Sequence, residues 1–270
     1  MKRWTRVEEG HARKYLISPG RFLHGLDGAP TEGEIGFWGE WEALSEVVPV
    51  SNPLRDGPRW MHRPFWSHQV SYRGLQNTDP FVFGDHFRYT GCLQHTKHGA
   101  TQLRNLSRGT VILFGSKRAG RPEFTTDTVF VVASHVDHSL RDYKRRLRNV
   151  VSETYEAVTL GPWYGNMDGC TPQDADRSYR LYLGATVDDP VEGMFSFFPC
   201  VTGDRKYQGF ARPTIRIPGV VTPTMTQNYR LNPQQSIGEI KPLWIEATRQ
   251  VTNQGLALGT FAELPHLQNS

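Results

Sequence analysis

Cysteine is scarce in this sequence. Its 270 residues include only three cysteines, Cys92, Cys170 and Cys200, which are too few and too widely spaced for a disulfide framework. Small secreted domains depend on such frameworks, whereas reduced thiols are typical of the cytosol. The cysteine content therefore predicts an intracellular, cytoplasmic protein.

Long hydrophobic runs are absent as well. No stretch approaches the roughly 18–20 consecutive apolar residues that a membrane-spanning helix requires. The N-terminal segment carries charges but no apolar core of the kind found in a secretory signal peptide. We therefore expect no membrane partner.

Familiar cofactor and catalytic signatures are also missing. The sequence has no glycine-rich dinucleotide fingerprint, no Walker loop and no nucleophile elbow. The sequence therefore identifies no cofactor. It also leaves open whether the protein catalyses a reaction.

Charge is mild overall but concentrated in one place. The formal net charge is +4 and the pI is near 9.0. Residues 140–150, LRDYKRRLRNV, contain five basic residues and one acidic residue, an excess equal to that of the whole chain. Such a cluster is typical of a surface that attracts polyanions.

Short runs rich in β-branched and aromatic residues recur along the chain, closed by glycine, proline, asparagine or aspartate. They predict β-strands, and residues 110–114 and 126–134 predict a hairpin. We therefore predict an α+β fold with an antiparallel, barrel-like or strongly bent sheet.

Two main helices accompany this sheet. Apolar residues at helical spacing place them at about 140–158 and 242–254, with Pro242 in the first turn of the second. Residues 1–270 are expected to form a single domain, with an excursion or boundary at the segment 161–178.

The segment GFWGEWE, residues 36–42, is a candidate pocket wall. Glycine within a strand often marks a bulge, and a bulge at Gly39 would bring Trp38 and Trp41 round one cavity. Aromatic walls beside the carboxylates of Glu40 and Glu42 would stack on a base and hydrogen-bond with it. The alternative is a packed strand with solvated glutamates.

A second candidate site lies in FVFGDHFRY, residues 81–89. Asp85 and His86 are candidate acid–base groups, and Arg88 is a candidate anion clamp. Arg212, in GFARPTIRIPG, is a further candidate for a groove. The alternative is an exposed strand edge kept soluble by charge.

SHVDH, residues 134–138, combines His135 and Asp137 where an apolar strand is predicted to end. A histidine oriented by a carboxylate acts as a general base. Capping of the helix that follows, by Ser134, Asp137 or Ser139, is the alternative.

CLQHTKH offers Cys92, His95 and His98 at a spacing that suits zinc. No obvious fourth ligand lies nearby, so we predict no metal and keep these three residues as the alternative.

Basic residues supply candidate phosphate contacts. They lie in the hairpin loop GSKRAGRPE and on one flank of the helix that begins near residue 140, where together they would form a positive strip. They are Lys117, Arg118, Arg121, Arg141, Lys144, Arg145 and Arg148.

Residues 101–134 run in the order short helix, glycine, apolar strand, basic loop and apolar strand. This segment resembles the core of PUA-like barrels, the group that includes ASCH and EVE domains, through Leu106, Gly109 and Phe114. The resemblance implies a barrel that binds RNA or modified bases in an aromatic pocket.

The leading hypothesis is a nucleic-acid or nucleotide-binding protein, acting in a base-modification or restriction-type pathway. The first alternative is a transferase or hydrolase that acts on a nucleotide or similar small anion through glutamate, histidine and aspartate groups. The second is a non-catalytic module that binds a protein partner.

Overall fold

The computed structural model describes residues 13–72, 79–96, 98–117, 123–165, 175–220 and 236–268. Strands account for 39% and helices for 20%, so the predicted α+β class is confirmed. Within these ranges the fourteen strands are β1 (Arg13–Leu23), β2 (Thr31–Glu40), β3 (Ser45–Pro49), β4 (Trp60–Trp66), β5 (Arg88–Tyr89), β6 (His95–Thr96), β7 (Gly99–Ala100), β8 (Val111–Lys117), β9 (Phe124–His138), β10 (Tyr179–Gly184), β11 (Phe198–Thr202), β12 (Thr214–Ile215), β13 (Ala257–Ala262) and β14 (His266–Leu267).

The first sheet closes on itself around β1. This strand pairs with β2 along residues 13–22 and with β13 along residues 20–23, while β11 joins β2 to β13. These four strands form a closed ring, and β4 extends the sheet from β1 toward β3 and β14. The strongly bent, mainly antiparallel sheet is therefore present as predicted.

The second sheet is organised by β9, its longest strand. β8 covers one edge of β9, which confirms the predicted hairpin. The other edge pairs with β12 near Phe124 and with β10 as far as His138, and β5 lies beyond β10. One strand thus spans the whole sheet.

β1 is buried on both faces because side chains alternate along a strand. Leu16 belongs to one hydrophobic core, which also contains Trp41. Tyr15 and Ile17 belong to a second core, together with Trp244. The two cores therefore share β1 as a common wall.

The single helix predicted at 140–158 is wrong, because the segment is broken. Helix α1 (Tyr143–Leu147) ends early, and α2 (Glu153–Tyr155) begins after Ser152, whose hydroxyl accepts the Tyr155 amide proton at 3.1 Å. The guanidinium of Arg88 donates to the Val150 carbonyl oxygen at 3.1 Å. A distant arginine thus binds a backbone carbonyl at the break, and periodicity cannot reveal such a partner.

The helical path then continues toward the predicted excursion. A π-helix (Glu156–Leu160) follows α2 directly and leads into α3 (Gly161–Gly165). Residues 166–174 of the excursion lie outside the described residues, and β10 begins soon after them.

The remaining helices among the described residues are a 3₁₀ helix (Gln102–Asn105), α4 (Arg205–Gln208) and α5 (Ile237–Thr252). Helix α5 begins before the predicted start at residue 242, because Ser236 and Glu239 form a capping box. Pro242 consequently lies inside the helix rather than at its start. No helix among the described residues is long and apolar enough to cross a bilayer.

A network of ion pairs joins the two sheets. Asp127 of β9, only 2% exposed, accepts from Arg13 of β1 at 2.7 Å and from the Nε and Nη2 atoms of Arg212 at 2.6 and 2.7 Å. Arg13 also pairs with Glu40 at the end of β2. Each carboxylate therefore has a cationic partner, which a buried charge requires.

Replacing Asp127 tests this tie between the sheets. Asp127→Asn removes the charge that faces two largely buried guanidinium groups, so we expect the free energy of unfolding in urea to fall by about 3–5 kcal/mol. Asp188→Asn is the control, because Asp188 also pairs with an arginine but is 80% exposed. We expect it to cost less than about 1 kcal/mol, and losses of equal size would contradict the assignment.

Candidate functional site

The two tryptophans predicted to share a pocket lie in different cores. Trp38 packs edge-on against Tyr15, and its indole nitrogen donates to the Phe210 carbonyl oxygen at 2.8 Å. Trp41 is fully buried in the other core, where its indole donates to the Leu44 carbonyl oxygen at 2.6 Å. The β1–β2 register runs past Gly39 without a shift, so the expected bulge is absent.

The glutamates of this segment are also buried rather than solvated. Glu40 pairs with Arg13 and accepts the Asp79 amide proton at 3.1 Å. Glu42 is 6% exposed, and its charge acts on the buried Lys14 ammonium. Glu40 and Arg212 therefore meet in the network that joins the sheets, but only through Arg13 and Asp127.

Asp127 and Arg13, the two connecting residues, were not predicted from the sequence. The signal for Asp127 is an aspartate at the start of the strongly apolar run TVFVVA, where a charge implies a buried partner. Arg13 carries no comparable signal, because its partners come from distant parts of the chain.

Asp85, His86 and Arg88 form a hydrogen-bonded cluster with a structural role. Arg88 is 3% exposed and donates to the Asp85 carboxylate at 2.6 Å and to the His86 carbonyl oxygen at 2.8 Å. The His86 ring lies 3.2 Å from the Gly184 carbonyl oxygen. Because Arg88 also binds Val150, its guanidinium is occupied by the protein itself.

His135 and Asp137 lie within β9 rather than beyond its end. Asp137 pairs with Arg104 at 3.2 Å and with Arg180 at 3.0 Å. Helix α1 has its N-cap at Asp142, so none of the three predicted capping residues occupies that position. The five predicted catalytic residues, Glu40, Asp85, His86, His135 and Asp137, therefore belong to three separate clusters.

The alternative zinc ligands do not converge. His95 contacts the Ser178 carbonyl oxygen at 2.8 Å, and Cys92 is exposed. Across the part of the chain that is described, no three histidine, cysteine or acidic side chains are arranged to hold a metal ion. His98 is exposed and joins no such group.

The predicted basic strip is divided. Lys117 ends β8 beside the N-terminal end of β9, whereas the basic flank of α1 follows the C-terminal end of β9. A straight strand of that length would separate them by about 45 Å. Arg118 and Arg121 lie outside the described residues.

On α1 the basic side chains are exposed, as expected. Arg141 pairs with Asp176, and Arg145 lies 3.8 Å from Asp142. Lys144 and Arg148 are exposed and take part in none of the ion pairs found among the described residues. We call Arg141, Lys144, Arg145 and Arg148 the α1 flank.

A cleft of about 350 Å³ lies between the end of β4 and the helical segment 153–165. Residues 66–72, which include Trp66 and Tyr72, form one wall. The other wall is built from the small residues Ala157, Gly161 and Gly165, with Pro162. Their spacing of four residues places them on one helix face, and this is the signal that sequence analysis overlooked.

One donor beside this cleft has no protein partner. Trp66 is 2% exposed, and its indole N–H makes no hydrogen bond to any described residue. By contrast, the Tyr72 hydroxyl accepts the Ser67 amide proton at 3.0 Å. At the rim, His68 lies 3.4 Å from Glu153. The cleft thus has an aromatic wall, but the unsatisfied Trp66 nitrogen is itself buried and is not open to the cleft.

The cleft and the α1 flank are carried by neighbouring helices. Tyr143 of α1 stacks on Tyr164 of α3 with their ring centroids 4.5 Å apart. Gly161 and Gly165 of the same α3 line the cleft. Because packed helices lie about 8–10 Å apart, the flank is one helix away from the cleft.

Two histidines are buried and uncharged at neutral pH. Burial, reinforced by the positive charge of Lys14, lowers the pKa of His62 to about 4. Burial also lowers the pKa of His138 to about 4, and its ring nitrogens contact the Thr90 hydroxyl at 3.1 Å and the Tyr164 hydroxyl at 2.6 Å. Both rings are therefore kept neutral by the fold.

Comparison with protein-family models, with curated proteins and with solved structures finds no match to this chain. The resemblance to PUA-like barrels consequently stays a prediction.

Acid should destabilise the protein through these two histidines. Between pH 6.5 and 4 the unfolded chain binds protons that the folded state excludes, so stability falls as the pH falls. Each histidine contributes a loss of up to about 3 kcal/mol. Urea denaturation at pH 7, 5.5 and 4.5 measures this loss.

His62→Leu should make the loss smaller, because one of the two sites is removed. His98→Gln is the control, since His98 is exposed, and it should leave the pH dependence unchanged. An unaltered pH dependence in His62→Leu would contradict the assignment.

Proposed function

We propose that the protein binds nucleic acid or a nucleotide and takes one base into the cleft beside Trp66. The observation that carries this proposal is a cleft with an aromatic wall, which includes Trp66 and Tyr72, opposite a wall of small residues. Clefts lined by aromatic side chains are where small planar ligands bind.

The size and chemistry of the cleft suit a planar base. Its volume of about 350 Å³ lies at the lower end of the range of roughly 300–1,000 Å³ for small-molecule sites. Aromatic side chains stack on bases. Gly161 and Gly165 leave room for such a ring because they have no side chain.

The α1 flank supplies the phosphate contacts of this proposal. Exposed lysine and arginine side chains hold a nucleic-acid backbone without reading its sequence. A base can enter a cleft only when it is unstacked, so the preferred ligand is single-stranded or contains an extruded base. Extrusion of a single base is what base-modifying systems require, and we place the protein in that class of pathway.

The enzyme alternative gains no support from geometry. Its five candidate residues are engaged in separate ion pairs and hydrogen bonds, as described above. A reacting centre needs such groups within reach of one substrate atom. We therefore propose binding and assign no reaction.

A charge placed at the cleft mouth tests where the base binds. Val70 lines the cleft and is 39% exposed, whereas Val48 on β3 is 38% exposed and lies outside it. Val70→Glu should weaken binding of labelled single-stranded oligonucleotides at least about tenfold, given roughly 1–3 kcal/mol for each stacked base. Val48→Glu should leave it unchanged in the same fluorescence anisotropy assay. Equal effects, or none, would refute the cleft as the site.

Charge reversal on α1 tests the phosphate contacts separately. Lys144→Glu/Arg148→Glu should lower the slope of log affinity against log salt by about 0.7 for each phosphate of the single strand that the protein no longer binds. Arg55→Glu/Arg59→Glu, at two exposed positions before β4, changes the net charge equally. An equal reduction in that control would show that net charge, and not the α1 flank, governs affinity.

A further inference from the structure

A second group of cations lies against the face of β9 that carries His135 and Asp137. One carboxylate oxygen of Asp137 forms an ion pair with Arg104 at 3.2 Å and accepts a hydrogen bond from Arg180 at 3.0 Å. His135 lies two residues from Asp137 on this face of the strand, opposite Tyr182. A third arginine, Arg108, donates to the Ala133 carbonyl oxygen at 2.9 Å on the edge that β8 leaves uncovered.

The two central arginines are held in place by the fold. Arg104 donates to the Ser178 carbonyl oxygen at 2.9 Å and to its hydroxyl at 2.7 Å. Gln94 bonds both the amide and the carbonyl of Arg180, at 2.9 and 2.7 Å. Their side chains are 12% and 21% exposed, so little conformational entropy is lost when they bind a ligand.

Charge at this place is unbalanced. Two guanidinium groups share the single carboxylate of Asp137, which is half exposed, and the Arg108 guanidinium contacts β9 four residues away, at Ala133. Arginine forks match the geometry of phosphate oxygens and form two parallel hydrogen bonds with them. A carboxylate has only two acceptor oxygens for these guanidinium donors. A phosphate group has more acceptor oxygens and can therefore bind more of the donors.

We propose that Arg104, Arg180 and His135 form a phosphate clamp, in which the Asp137 carboxylate occupies the place of a phosphate oxygen until a ligand displaces it. The clamp deepens the proposed function and rests on it for the source of the phosphate, the nucleic-acid backbone. The clamp would bind a phosphate group whether or not that group belongs to a nucleic acid.

The position of the clamp suits a strand that also reaches the α1 flank. His138 follows Asp137 directly, and its ring contacts Tyr164, which stacks on Tyr143 of α1. The clamp at β9, the α1 flank and the cleft beside α3 are therefore neighbouring sites, in that order.

Inorganic pyrophosphate tests the clamp without a base. Titration calorimetry at low salt should show binding by the unmodified protein that Arg180→Gln weakens at least about tenfold. Asp137→Asn should instead tighten binding about three- to tenfold, because the competing carboxylate is removed. A merely structural role for Asp137 predicts the opposite sign.

Matched controls lie on α5, where Arg249 and Glu246 form an exposed pair at 2.7 Å. Arg249→Gln and Glu246→Gln change the net charge as the two clamp variants do, and should alter affinity less than about twofold. Equal changes in the controls, or no pyrophosphate binding at all, would overturn the clamp.

A free nucleoside separates this inference from the proposed function. It carries no phosphate, so Val70→Glu should abolish its binding while Arg180→Gln leaves it unchanged. Pyrophosphate binding without nucleoside or oligonucleotide binding would support the clamp and refute the proposed function. Base-dependent binding that is unchanged in both Arg180→Gln and Asp137→Asn would support the proposed function and refute the clamp.

Discussion

The fold depends on one buried carboxylate. Asp127 receives hydrogen bonds from Arg13 and Arg212, and thereby fixes β9 against β1. Hydrophobic packing holds two sheets together, but it does not set how far one slides along the other. The ion pair between Arg13 of β1 and Asp127, near one end of the 15-residue β9, does set it, because a short charged hydrogen bond tolerates little displacement. That position in turn determines where the other end of β9 lies.

Everything proposed to bind a ligand lies toward that other end. Asp137 holds the two clamp arginines there, and His138 joins β9 to Tyr164 of α3. Asp127 and Asp137 lie on the same strand. The ion pair between Asp127 and Arg13, which positions the two sheets, therefore also fixes the position of the surface around Asp137. The first aspartate is 2% exposed and fully paired, whereas the second is half exposed and outnumbered by cations. The buried ion pair and the proposed clamp thus lie toward opposite ends of one strand.

Sequence patterns predicted what depends on local periodicity. The β8–β9 hairpin, the bent sheet and the buried face of α5 with Trp244 and Val251 follow from alternation and helical spacing. The break after α1 does not, because Val150 is apolar and fits the helical stripe although Arg88 binds its carbonyl. An interaction between residues 62 positions apart leaves no trace in a short window.

The same limit explains why the proposed aromatic cleft lies at a different tryptophan from the two that the sequence indicated. Trp38 and Trp41 look like pocket residues because they flank glycine, yet each indole N–H donates to a backbone carbonyl within the protein. Trp66 ends an ordinary strand, and its N–H has no acceptor among the described residues. A buried donor without an acceptor has given up its hydration and gained nothing in exchange, which costs about 1–3 kcal/mol. Whether an indole N–H finds an acceptor depends on residues that can be far away in the sequence, as Phe210 is from Trp38, so the sequence alone does not distinguish these tryptophans.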